Sequence, residues 1–92
     1  MKGPEESGNQ QMSISTFITL VNEGHEIEFV CEGRMYSVTY GEINKKEVIS
    51  FCEFYQDSIE VETVDELLSI AYNNMRVSDM IEKLTDDDVW VY

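Results

Sequence analysis

From Met12 onward the apolar residues of the chain change their spacing twice. Ile14, Phe17, Ile18 and Val21 recur at helical intervals, with Leu20 beside that stripe. Ser13 precedes them as an N-cap, and Met12 and Phe17 stand at the spacing of a hydrophobic staple. Gly24 supplies the stop, so a helix is predicted from about Ser13 to Glu23. The period then drops to two. His25, Ile27, Phe29 and Cys31 alternate with Glu26, Glu28, Val30 and Glu32, and Tyr36, Val38 and Tyr40 alternate with Met35, Ser37 and Thr39. A two-residue turn at Glu32-Gly33 pairs Phe29 with Tyr36, Ile27 with Val38 and His25 with Tyr40 on one face. Glu28 with Ser37 and Glu26 with Thr39 then fall on the other, and a one-residue slip would mix the two sets.

Residues 41–46 read as a loop, with Asn44 suited to a turn. Val48 to Tyr55 is β-branched and aromatic, apolar on both sides apart from Ser50 and Glu53, as expected of a central strand or one lying under a helix. Ile59 and Val61 fit a short edge strand or an extended lead-in. Thr63 and Glu66 then form a capping box, and Val64, Leu67, Leu68, Ala71, Tyr72 and Met75 follow as one helical stripe that ends or bends at Asn73-Asn74. Ser78 caps a second short helix with Val77, Ile81 and Leu84 facing inward, broken by Asp86-Asp87-Asp88. Val89 to Tyr92 has the composition of a short terminal strand or docked tail. The expected fold is α+β in the order α-β-β-β-α-α: an N-terminal helix, a three-stranded antiparallel sheet with a central hairpin, and two C-terminal helices. Residues 1–11 carry the chain's single proline and no large apolar residue after Met1, and read as a disordered tail before one domain at 12–92.

Composition sharpens this picture through charge. Nineteen acids against six bases give 92 residues a net −13, which argues against direct binding to nucleic acid or an anionic membrane face, where each phosphate contact needs a cation. Hydrophobic content of 42% is too high for a disordered acidic segment. Cys31 and Cys52 are too few and too far apart for a secreted disulfide scaffold. With no apolar leader after Lys2 and no run near the ~20 apolar residues of a membrane span, a reducing cytoplasm is the expected compartment.

Catalytic chemistry finds little support. His25 is the one histidine and falls at a helix–strand junction, about 20 Å along the strand from Cys31. Two cysteines 21 residues apart and one histidine lack the close pairs of a zinc site, and Asp86–Asp88 lacks the alternation, glycine and closing glutamate of an EF-hand. There is no phosphate-cradling loop and no nucleophile elbow. The expectation is a protein without catalytic residues, metal or cofactor.

The distribution of acids says more than their number. Residues 57–92 hold ten acids and two bases, a net −8. Asp65, Glu66 and Asp79 lie in first helical turns, where the helix dipole favours anions. Asp57, Glu60, Glu62 and the run Asp86, Asp87, Asp88 have no such local role, and Glu26 and Glu28 add an acidic row on the hairpin's outer face. These eight are the candidate partner-binding residues. Such a surface suits a basic protein and can occupy the cationic groove of a nucleic-acid-binding protein, as inhibitors of phage-defence nucleases, immunity proteins and antitoxins do. In architecture and charge alone the chain resembles some small acidic anti-CRISPR proteins. The alternative is a domain that acts through apolar self-association as a weak homodimer, on the strength of Phe54, Tyr55, Trp90 and Tyr92.

Overall fold

The computed structural model describes residues 12–92, so the tail expected at 1–11 lies outside the described residues. The elements run α1 (Ile14–Asn22), β1 (Ile27–Cys31), β2 (Arg34–Ile43), β3 (Lys46–Glu53), β4 (Ile59–Val61), α2 (Val64–Ser69), β5 (Ala71–Tyr72), β6 (Met75–Arg76), α3 (Val77–Glu82), a 3₁₀ turn (Asp86–Asp88) and β7 (Val89–Val91). The main sheet has five strands in the order β4-β3-β2-β1-β7, every neighbouring pair antiparallel, and β5 and β6 form a second, two-stranded sheet. The three-stranded sheet expected above is therefore wrong, and with it goes the architectural resemblance to the small anti-CRISPR proteins. The sheet grows because β4 and β7, each only three residues long, add to opposite edges. A segment so short carries too little periodicity to announce its neighbour.

Local chemistry sets the hairpins. Ile27 pairs with Val38, Glu28 with Ser37 and Phe29 with Tyr36, the register that the alternation predicts. Glu32 and Gly33 both adopt left-handed φ (52° and 81°), the type I′ geometry whose twist matches a two-residue hairpin. Asn44 and Lys45 repeat it at 52° and 67°, so residues 41–46 are not a loop: β2 and β3 run on to a tight turn and project beyond the helices as a two-stranded arm.

The third such turn, at Asn73 and Asn74 (φ 53° and 65°), corrects the long helix expected from Val64. Thr63 and Glu66 do form the capping box, but α2 stops at Ser69, and Ile70 turns to extended backbone. Asparagine tolerates the left-handed region where most side chains do not, and two in succession favour a hairpin over another helical turn. The hairpin delivers Tyr72 edge-on to Tyr36 and Phe51, with centroids 6.0 and 5.9 Å apart. Ala71, expected on the buried stripe, is exposed. α3 begins at Val77, with Arg76 rather than Ser78 at the N-cap and no side-chain cap, while Val77, Ile81 and Leu84 are buried as expected.

All three helices lie on one face of the sheet. Phe17 and Val21 of α1, Leu67 of α2 and Met80 and Ile81 of α3 close over Ile27, Phe29, Tyr36, Val38 and Phe51. Phe29, Tyr36 and Phe51 stack across β1, β2 and β3, with centroids 5.3 Å (Phe29–Tyr36) and 5.5 Å (Tyr36–Phe51) apart. No charged or polar residue is buried among the described residues, and the Tyr36 hydroxyl accepts a bond from Asn73 Nδ2 at 2.9 Å. Among these residues no helix is long and apolar enough to cross a membrane.

Candidate functional site: the uncovered face of the sheet

Because the helices share one side, alternation sends every second strand residue to the other. Three rows cross this second face. One runs Trp90, Glu28, Ser37, Cys52 from β7 to β3. The next has Thr39, Ser50 and Glu60 from β2 to β4. The third pairs Gly41 with Val48. Glu26 and Glu62 stand one residue outside β1 and β4, in phase with Glu28 and Glu60. Apart from Val48, which is buried beside Gly41, the middle strands contribute small side chains, Ser37, Thr39, Gly41, Ser50 and Cys52, while the flanking strands carry carboxylates. At the Gly33 end Val30 faces Met35, so the floor is apolar there.

Two of these carboxylates are held by hydroxyls. Glu60 accepts from Ser50 Oγ at 2.9 Å and from Ser58 Oγ at 2.5 Å, and these bonds keep its pKa below the ordinary glutamate value. Glu28 accepts from the Tyr92 hydroxyl at 3.1 Å, which in turn pushes that phenol up. The one cation of the strands in phase with this face, Lys46, sits at the far end of the β2–β3 arm, 3.8 Å from Glu62. Trp90 and Tyr92, 43% and 64% exposed, stand at the β7 border beside Glu28 and Glu26.

The eight candidate residues separate into groups. Glu26, Glu28, Glu60 and Glu62 frame the uncovered face from two sides. Asp86–Asp88 precede β7 at the opposite edge from β4, about 19 Å away across four strand spacings. Asp88 has a local duty, accepting from the Thr85 amide at 3.0 Å in a capping box that closes the 3₁₀ turn. Asp57 lies exposed in the loop before β4. Proximity in sequence was therefore a poor guide to proximity in space, and the small floor residues were missed. Their signal was available: Ser50 and Cys52 lie in phase, as do Ser37 and Thr39.

Several other titratable groups tie elements together. His25 Nδ1 lies 2.9 Å from the Tyr92 carbonyl oxygen, with the Glu23 carboxylate 3.4 Å from its other nitrogen. The Tyr40 hydroxyl donates to the His25 carbonyl at 2.7 Å, tying β2 to the α1–β1 junction. At the other end of the sheet, Arg34 donates to Glu53 at 3.0 Å and holds that carboxyl below its usual range, while burial and Glu53 push Tyr72 up. Both cysteines are free; burial, then Glu32, pushes the Cys31 thiol up. An open cleft of about 740 Å³ lies where α1 meets the β2–β3 arm, between Val21 and Val48. It holds Glu42, Glu47 and Glu62, so it extends the acidic character of that end. The chain matches no family model, no curated protein and no solved structure.

Proposed function

We propose that the protein is a non-catalytic, acidic protein-binding module that receives a basic partner on the uncovered face of its sheet. The observation that carries this reading is the segregation of side chains on that face: carboxylates of β1 and β4 frame a floor of small residues, and the one cation of the strands in phase with it, Lys46, stands at the far end beside Glu62. Such a field attracts a cationic surface, speeds its approach and rejects acidic competitors. A protein whose own function is to hold nucleic acid presents a surface of the required sign. An inhibitor, immunity or antitoxin role then amounts to occupying that surface.

The test compares equal charge removed from different places. Glu26, Glu28 and Glu60 are changed to Gln in one variant, and Glu42, Glu47 and Asp87 to their amides in another, and each is titrated with a lysine-rich peptide in low salt. The first variant is expected to lose most of the affinity and the second little. Equal losses would mean that net charge alone governs binding, and the face would have no special part in it. A second reading rests on Trp90, Val91 and Tyr92, three exposed apolar side chains along the open edge of β7. Self-association through that edge predicts a dimer in sedimentation over a wide concentration range. A strict monomer excludes it.

A further inference from the structure

We infer that the segment received on the uncovered face is a basic α-helix lying along the strands, between the carboxylates of β1 and those of β4. This deepens the reading above and rests on its cationic partner. Three features select a helix. The first is width: β1 and β4 are separated by three strand spacings, about 14 Å, and a helix with its side chains is about 10–12 Å across. The second is the floor. Ser37, Thr39, Ser50 and Cys52 are short, so a rod can settle between the carboxylates instead of riding on bulky side chains. The third is spacing: Glu26 and Glu28 recur every two residues of a strand, about 6.8 Å, and cations at i and i+4 of a helix recur every ~6 Å.

The occupant's chemistry follows from the same positions. Lysine or arginine at i and i+4 on one flank meets Glu26 and Glu28, and cations on the other flank meet Glu60, whose carboxylate is already fixed by Ser50 and Ser58. At the Gly33 end an apolar helix residue meets Val30 and Met35, whose thioether accommodates varied side chains. A second copy of this chain is a poor occupant, because it brings another −13 to the face.

The experiment titrates the isotope-labelled protein with two arginine-rich peptides of about 18 residues, long enough for five helical turns. Their composition is identical, with cations at i and i+4. One is all-L and helix-forming; the other carries scattered D-residues that prevent a helix. The helical peptide is expected to bind about tenfold more tightly, since its ordering cost is already met, and to shift the amides of Ser37, Thr39, Ser50 and Cys52. Ser37→Tyr, which fills the floor without changing charge, is expected to remove that preference while thermal unfolding confirms that the variant is folded. A second floor variant, Thr39→Gln, serves if the first fails to fold. Equal affinity of the two peptides at the same face overturns the helix and leaves the basic-partner reading standing. Amide shifts confined to β7 or the Asp86–Asp88 turn overturn the placement. Binding of neither peptide overturns both.

Discussion

The two faces of the sheet come from the same strands, often from adjacent residues, yet they are built for different work. On the covered face Phe29, Tyr36 and Phe51 stack beneath three helices, and each is at most 2% exposed. One residue along β3, Ser50 is half-buried on the open face and donates to Glu60. The covered face concentrates the apolar burial that stabilises a domain of this size. The open face contributes little burial and gathers like charges, an arrangement that lowers stability at low salt. A surface that costs stability and carries organised carboxylates is where binding is to be sought.

That contrast is broken most directly at neighbouring positions of β3. Phe51→Ala is expected to cost about 3–5 kcal/mol, a large share of the stability of a small domain, whereas Ser50→Ala stays within about 1 kcal/mol. Urea denaturation of both variants checks this, and comparable losses would make the open face structural. The cysteines repeat the comparison at lower amplitude. Cys31 is buried on the covered face, so Cys31→Ser places a hydroxyl in the core at a cost of about 1–3 kcal/mol. The Cys52 thiol lies 2.9 and 3.0 Å from the carbonyl oxygens of Glu53 and Gln56 and donates its single proton to one of them, a bond that a serine hydroxyl can also make, so Cys52→Ser is expected to change stability by less than about 0.5 kcal/mol.

The hairpin that brings Tyr72 onto the covered face gives a test of sign. In a helix, Asn73→Ala or Asn74→Ala would stabilise by about 0.7 kcal/mol. In left-handed turn positions the same changes destabilise by about 1 kcal/mol, and glycine there is tolerated. The smallest effect belongs to Glu60. Its pKa is depressed in the folded state by the Ser58 and Ser50 hydroxyls, so the stabilisation is complete above the unfolded glutamate value of about 4.3. It is lost as pH falls through the lower folded value. The difference in urea midpoint between the wild type and Glu60→Gln should therefore shrink on acidification from about pH 6 to about pH 3. A constant difference would show that the hydroxyls do not favour the ionised form.

What the chain's own pattern determined was local. The Ser13 cap, the Glu32-Gly33 hairpin with its register and the Thr63–Glu66 capping box each involve residues close in sequence, where periodicity and a few side-chain bonds decide the outcome. Asn73-Asn74 shows the limit of that logic. The residues signalled a break and tolerate the left-handed turn, and packing of Tyr72 against Tyr36 and Phe51 adds what the sequence did not show, the surface onto which the hairpin folds. Tertiary structure alone decided that β4 and β7 occupy opposite edges and that all three helices take the same side. Those choices parted Asp86–Asp88 from Glu60 and set Glu28 and Glu60 on a single face. The physical reason is that strand order and helix side are fixed by which apolar surfaces meet, and a carboxylate's place in the final surface follows from those contacts.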